Sequence, residues 1–172
     1  YPFIDMTMHG EGELTFEEVL TKYLNKEPLN CILGTSFNDR NNSKKIYFNK
    51  KRERIKDYST LPSPYLEGMF EDLFKKYDYK WQATWETNRG CPFKCSFCHT
   101  GADYFQKIHM FSTDRVKEEI EYIGKKLLKF GETNLHLADT NFGMYPRDRE
   151  ITLALLESHK KYKWPMSIMS TT

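Results

Sequence analysis

Residues 86–98 read Glu-Thr-Asn-Arg-Gly-Cys-Pro-Phe-Lys-Cys-Ser-Phe-Cys and place three cysteines close together, at Cys91, Cys95 and Cys98. Thiolates are soft ligands that suit iron–sulfur clusters, zinc and copper(I). The fourth cysteine of the chain, Cys31, lies far away in the sequence and would join the others only if its segment folded over the loop. A site made of four thiolates needs that fourth cysteine. The loop therefore offers three thiolates, and a cubane cluster held by three thiolates would keep one iron open for chemistry.

The residues around these cysteines suit a closely approached cluster. Gly90 has no side chain to obstruct it, and Pro92 has a fixed φ. Arg89 and Lys94 bring positive charge to a negative cluster, and loop amides can hydrogen-bond to its sulfurs and tune its potential. Clustered cysteines in an otherwise ordinary chain indicate a metal or redox site in a reducing compartment, which predicts a cytoplasmic protein.

Strands and helices alternate on both sides of the loop. The loop follows a predicted strand at 81–86. The elements predicted after it are a helix capped by Ser112 or Thr113 and closed by Gly131, a strand at 134–138, a helix from Pro146 to about residue 162, and a strand at 165–169. This order predicts an α/β fold with about three parallel strands joined by right-handed crossovers.

A helix is predicted near the start of the chain. It begins at Leu14 and Thr15, and Thr15 with Glu18 matches a capping box. Apolar residues then recur at helical spacing and predict one buried face, made of Phe16, Val19, Leu20, Tyr23 and Leu24.

A β-hairpin and a linker are predicted between that helix and the cysteine loop. The hairpin has arms at 31–37 and 44–48, separated by turn-forming residues. Two prolines make 61–65 extended, so the domain boundary is predicted near residue 65, followed by a short helix at 67–76. The chain thus divides into a small α+β segment, 1–65, and an α/β core, 66–172.

Composition limits the class of protein. The chain has 172 residues, and its 26 basic and 24 acidic residues give a net charge of +2, which offers no electrostatic case for binding nucleic acid. No apolar stretch approaches the ~20 residues of a membrane span. Because the sequence begins at Tyr1 rather than Met and stops in an apolar run, we expect it to be part of a longer protein.

The spacing Cys-x3-Cys-x2-Cys, with aromatic Phe97 before the last cysteine, resembles the signature of the radical S-adenosylmethionine (SAM) superfamily. The resemblance covers residues 81–172 and implies the N-terminal half of that family's partial (β/α) barrel. It implies that Cys91, Cys95 and Cys98 hold a [4Fe–4S] cluster whose open iron chelates SAM. An external flavodoxin- or ferredoxin-like donor would reduce the cluster, and SAM would be cleaved to methionine and a 5′-deoxyadenosyl radical.

The same resemblance suggests which residues contact SAM. In this family the end of the second strand helps to hold the SAM amino group, often through a Gly-Gly-Glu-like motif. This chain has Ala-Asp-Thr at 138–140 instead, so Asp139 and Asn141 are the candidates, and Phe97 is a candidate for the adenine. The alternatives are a cap or turn role for Asp139 and ordinary packing for Phe97.

Residues 1–65 resemble the end of a cobalamin-binding domain joined to a radical SAM core. The resemblance rests on the order of four pieces: Gly-Glu-Gly-Glu at 10–13, a helix, a hairpin, and Leu-Pro-Ser-Pro-Tyr at 61–65. It implies that cobalamin, if used, is bound by the longer protein and not by this chain alone. Methyl transfer to unactivated carbon or phosphorus, ring contraction and cyclisation occur in that group, and the substrate cannot be read from this sequence.

Two other interpretations of the cysteines stay open at this point. A non-catalytic zinc module would combine the three cysteines with His99 or His109 in a Cys3His set. An iron–sulfur electron carrier without catalysis would normally need four protein ligands. The position of the loop after a strand favours catalysis, because active sites of barrels lie at the C-terminal ends of their strands.

Overall fold

Two compact units, Tyr1–Lys56 and Asp57–Thr172, make up the chain in the computed structural model. The structure describes residues 3–39, 42–131 and 133–171. Within these ranges, no helix combines the length and the apolar character needed to cross a membrane.

The first unit contains a three-stranded antiparallel sheet. Its strands, in spatial order, are β1 (Met6–Met8), β2 (Thr35–Asp39) and β3 (Asn42–Phe48). The β2–β3 pair confirms the predicted hairpin, but its first arm begins later than expected. The hydroxyl of Thr35 donates to the carbonyl of Ile32 at 2.8 Å, so the preceding residues form a turn rather than a strand. The predicted turn at 38–43 includes residues 40 and 41, which lie outside the described residues.

The helix of the first unit, α1 (Glu13–Leu24), differs from the prediction in its cap and in its buried face. Gly12 is the N-cap, and Thr15 and Glu18 form no capping box because both bind Arg52. The Nε of Arg52 donates to the Thr15 hydroxyl at 3.0 Å. Thr15 is fully buried, whereas Phe16, Leu20, Tyr23 and Leu24 are exposed. Helical periodicity detects an apolar stripe but not what covers it. In α1 the polar residues Thr15 and Glu18 make the contacts, both to Arg52.

The second unit contains the cysteine loop and a parallel sheet. β4 (Ala83–Trp85) is followed by a two-stranded antiparallel ribbon, β5 (Asn88–Arg89) and β6 (His109–Met110). β7 (Leu135–Leu137) then pairs in parallel with β4 on one side and with β8 (Ile168–Ser170) on the other. The order β4-β7-β8 confirms the predicted α/β fold with a parallel sheet.

Three α-helices accompany this sheet: α2 (Glu71–Lys76), α3 (Thr113–Leu127) and α4 (Pro146–Tyr162). The predicted helix at 67–76 is shortened to α2 because Gly68 has a positive φ of 68°, which interrupts helical backbone. α3 begins as predicted, and the Ser112 hydroxyl accepts from the N–H of Arg115 at 3.3 Å. The predicted apolar face of α3 is buried and consists of Val116, Ile120, Ile123 and Leu127.

A hydrogen bond covers the edge of β4 that faces away from β7. The hydroxyl of Tyr65 donates to the carbonyl of Thr84 at 2.6 Å, and burial raises the pKa of Tyr65 to about 12. That carbonyl would otherwise be a free acceptor on an edge strand, where unpaired backbone groups invite pairing with another chain.

Buried polar contacts tie α3 to β4 and to the segment that precedes α2. The indole N–H of Trp85 donates to Glu119 at 2.6 Å, and Glu119 pairs with Arg115 at 3.0 Å. Arg115 also donates to the carbonyl of Leu61 at 2.5 Å. Because the ion pair is hydrogen-bonded on both sides, its burial is compensated, and β4 is held in place where the cysteine loop begins.

Candidate functional site

The cysteine loop leaves the C-terminal end of β4 and is closed at its base by the β5–β6 ribbon. Cys91 is 6% exposed, and its N–H donates to the carbonyl of Phe105 at 2.8 Å. Cys95 and Cys98 are exposed, and the N–H of Cys98 donates to the carbonyl of Cys95 at 3.1 Å. The loop thus presents one sulfur from the interior and two from the surface.

Gly90 allows the two sides of this loop to meet. It has a φ of 117°, and a Cβ at this position would lie 2.7 Å from the carbonyl oxygens of both Phe105 and Lys107. A side chain is excluded twice, by the backbone conformation and by the close carbonyls. The absence of a side chain here, predicted to leave room for a cluster, also permits the bond between Cys91 and Phe105.

We expect Gly90→Ala to destabilise the second unit by ~1–3 kcal/mol more than Gly131→Ala does, because the overlap with backbone oxygens adds to the strain of a positive φ that both positions share. Urea or thermal unfolding measures the loss. Gly131→Ala is the matched control, since Gly131 also has a positive φ, of 76°, but nothing lies within 4 Å of its virtual Cβ. Equal losses in the two variants would show that the close approach to Phe105 and Lys107 has no energetic consequence.

Asn141 lies directly against the buried cysteine. Its side-chain Nδ2 donates to the Sγ of Cys91 at 3.1 Å. The residue lies in the segment after β7, on the rim that the prediction assigned to it. The structure thus brings Asn141 and Cys91 together, although the sequence analysis assigned Asn141 to SAM.

Asp139 is fully buried and joins the ends of two strands. One carboxylate oxygen accepts from the N–H of Thr87 at 2.6 Å and from the N–H of Asn88 at 3.2 Å. The other accepts from the Thr87 hydroxyl and, at 2.8 Å, from the Asn88 amide. We call this set of bonds between Asp139 and Thr87–Asn88 the aspartate clasp. It ties the segment after β7 to the segment that leads into the cysteines.

Burial controls the ionisation of this carboxyl. Desolvation raises the pKa of Asp139, and the hydrogen bonds from Thr87 and Asn88 oppose that rise. Burial also raises the pKa of Tyr145, with a further contribution from the neighbouring Cys91.

Thr171 fixes the same segment from the other side. Its hydroxyl donates to the carbonyls of Asp139 at 2.8 Å and of Thr140 at 3.0 Å, and its own carbonyl accepts from the N–H of Phe142 at 3.2 Å. Thr87 and Asn88 were not among the predicted site residues. The available signal was that both follow β4, on the same rim where Asp139 follows β7.

The remaining residues that the prediction named around the cysteines differ in exposure. Phe97 is 92% exposed, so its side chain is accessible for the predicted contact with the adenine. The Sγ of Cys98 lies 3.0 Å from the hydroxyl of Thr100. Arg89 pairs with Glu86 at 2.7 Å, so its charge is already partly compensated.

The two histidines of the zinc interpretation make aromatic contacts. The ring of His99 lies 5.2 Å from that of Phe105, and His109 is buried with its ring stacked 5.4 Å from that of Tyr58. Across the described part of the chain, no three His, Cys, Asp or Glu side chains are grouped to hold a single metal ion. The geometry therefore does not favour a Cys3His zinc site.

A [4Fe–4S] cluster fits this donor set better than zinc does. Its thiolates bind different irons, so they need not converge on one point as the ligands of a single zinc ion do. All three cysteines belong to one loop, and Cys91 already has an amide donor of the kind that surrounds cluster thiolates. Cys31 is exposed in the other compact unit.

Comparison with known proteins identifies relatives for nearly the whole chain. No protein-family model matches it. It is 33% identical, over 172 residues, to the cobalamin-dependent radical SAM methyltransferase TokK of Streptomyces tokunonensis, covering 98% of the chain and 24% of that protein. It is 34% identical, over 162 residues, to the 2-(S-pantetheinyl)-carbapenam-3-carboxylate methyltransferase of Streptantibioticus cattleyicolor, covering 92% of the chain and 23% of that protein.

A solved structure shares the fold. The cobalamin-dependent SAM radical enzyme OxsB, with aqua-cobalamin and SAM bound, superposes with a TM-score of 0.61 at 24% identity. The match covers 91% of the chain and 21% of OxsB. The chain thus spans about a quarter of the length of its curated relatives. Sequence similarity over nearly the whole chain supports the resemblance carried by the cysteine loop: the relatives of this chain are cobalamin-dependent radical SAM proteins.

Proposed function

We propose that the protein carrying this chain is a radical SAM enzyme of the cobalamin-associated type. In this proposal Cys91, Cys95 and Cys98 hold a [4Fe–4S] cluster that reductively cleaves SAM. The observation that carries it is the three-cysteine loop at the C-terminal end of β4, in a chain whose relatives include two methyltransferases. Methyl transfer is accordingly the favoured reaction class, with the substrate unidentified.

Each part of the loop has a defined task in this proposal. Cys91 supplies a thiolate from the interior, and Cys95 and Cys98 supply two from the surface. The cluster, when bound, supplies an electron to SAM and an iron that the three thiolates leave open. Gly90 keeps the loop closed behind Cys91.

The contacts to SAM are proposed on the rim formed by the ends of β4, β7 and β8. Phe97 is available to contact the adenine because its side chain is exposed. Asn141 has a carbonyl oxygen in addition to the amide nitrogen that binds Cys91. Asp139 could receive the SAM ammonium only by giving up bonds of the aspartate clasp. SAM binding by Asp139 would therefore cost more free energy than binding by Phe97 or Asn141.

Two further parts of the proposal concern the rest of the protein. Residues 1–65 would form the tail of a cobalamin-binding domain, with its hairpin and linker, and 66–172 the N-terminal half of a radical SAM barrel. Cobalamin would then be held by other residues of the protein. A flavodoxin- or ferredoxin-like protein would deliver the electron to the cluster.

The test uses the full-length protein after anaerobic reconstitution with iron and sulfide. We expect a [4Fe–4S] electron paramagnetic resonance signal on reduction, and we expect added SAM to change it, since SAM would bind the open iron directly. A reduced-cluster spectrum that SAM leaves unchanged would overturn the proposal. Stoichiometric zinc without sulfide would instead support the non-catalytic zinc module.

A further inference from the structure

We propose that Asn141 is a positioning residue that sets the reduction potential of the cluster through its hydrogen bond to Cys91. This inference rests on the proposed function and assigns to Asn141 a task distinct from orienting SAM. The Nδ2 of Asn141 donates to the Sγ of Cys91 at 3.1 Å, and Cys91 is 6% exposed. The bond is part-buried and its sulfur end is shielded from water, which preserves much of its electrostatic effect.

Asn141 is held in this position by bonds on both sides of it in the sequence. Two residues earlier, the aspartate clasp fixes Asp139 to Thr87 and Asn88. Thr171 binds the carbonyls of Asp139 and Thr140 through its hydroxyl, and its own carbonyl accepts from the N–H of Phe142. A donor with so little freedom is pre-organised, and it pays little entropy to keep its bond to the sulfur.

The direction of the effect follows from charge. Reduction adds one electron to the cluster and makes its thiolates more negative, so a hydrogen-bond donor to a thiolate stabilises the reduced form more than the oxidised form. Asn141 therefore raises the potential and makes the cluster easier to reduce by the external donor. The Sγ of Cys98 also lies 3.0 Å from the Thr100 hydroxyl, but Cys98 is exposed, so water weakens that contact more than it weakens the bond to the buried Cys91.

Asn141→Leu removes the donor and keeps similar bulk. We expect the equilibrium ratio of reduced to oxidised cluster, at a fixed potential, to fall about tenfold, which for one electron is about 59 mV to lower potential. The measurement is a redox titration of the reconstituted full-length protein, followed by electron paramagnetic resonance. Asn134→Leu is the matched control, because Asn134 is exposed just before β7, at the opposite end of that strand from Asn141.

The outcomes separate this inference from the proposed function. A cluster in Asn141→Leu with the potential of the wild type, particularly if SAM affinity falls, would overturn it and favour a SAM contact. If Asn141→Leu holds no cluster, Asn141→Asp repeats the test, because it keeps the size and polarity while removing the donor and adding a negative charge. An Asn141→Asp potential equal to that of the wild type would also overturn the inference. A wild-type protein that forms no cluster would instead overturn the proposed function.

Discussion

Alanine at any one of Cys91, Cys95 or Cys98 is expected to abolish the [4Fe–4S] cluster and with it the cleavage of SAM. In the proposed site each thiolate would bind a different iron, and this loop provides a single sulfur for each position. Iron and acid-labile sulfide per protein, measured after anaerobic reconstitution, report the loss directly. Cys31→Ala is the matched control and is expected to keep the wild-type content, since Cys31 is exposed in the other compact unit.

The three variants should differ in stability, which helps to interpret the result. Cys91→Ala removes a buried sulfur and leaves the amide of Asn141 without its acceptor, at a cost of ~1–3 kcal/mol. Cys95→Ala and Cys98→Ala change exposed residues and should leave thermal unfolding of the cluster-free protein close to that of the wild type. Equal loss of iron in Cys31→Ala would point to four thiolate ligands and contradict the open-iron site.

Asp139→Ala is expected to lower the unfolding free energy by ~3–5 kcal/mol, because it leaves the donors of Thr87 and Asn88 buried without an acceptor. Chemical unfolding of the cluster-free protein measures this. Thr100→Val is a suitable control, since Thr100 lies in the same loop but binds the exposed Cys98. Unchanged stability together with weaker SAM binding would contradict the clasp and assign the carboxylate to SAM.

The loss should depend on pH in a defined direction. Burial raises the pKa of Asp139 above its ordinary value of 3.8, so between that value and the folded-state pKa the folded chain binds more protons than the unfolded chain. The contribution of Asp139 to stability is therefore largest in acid and falls as pH rises through the folded-state pKa. In Asp139→Ala, the free energy of unfolding should not show this decrease with rising pH.

Much of the second unit could be predicted because its signals are local. The Ser112 cap, the proline at the start of α4 and the helical spacing of apolar residues in α3 each act within a few residues. The alternation of strands and helices then restricts the sheet to a parallel arrangement. The cysteine loop could be predicted for the same reason, since its three cysteines lie within eight positions of one another.

The features that were missed depend on residues far apart in the sequence. β1 pairs with β2 across the whole of α1, and β5 pairs with β6 across the cysteine loop. The clasp joins Asp139 to residues about fifty positions earlier. Pairings between distant residues leave no recognisable pattern in the nearby sequence. Each strand involved is also only two to five residues long. The role of Asp139 therefore became visible only through its buried hydrogen bonds.

The bond from Tyr65 to Thr84 makes the parallel sheet asymmetric in its capacity to grow. At β4 the Thr84 carbonyl is already occupied, so an incoming strand would have to displace a phenol. At the other side β8 pairs with β7, and its residues are exposed. Strand addition, whether by more of the same polypeptide or by a second molecule, is thus directed to β8. The sheet extends in one direction, and self-association of isolated copies would start from that edge.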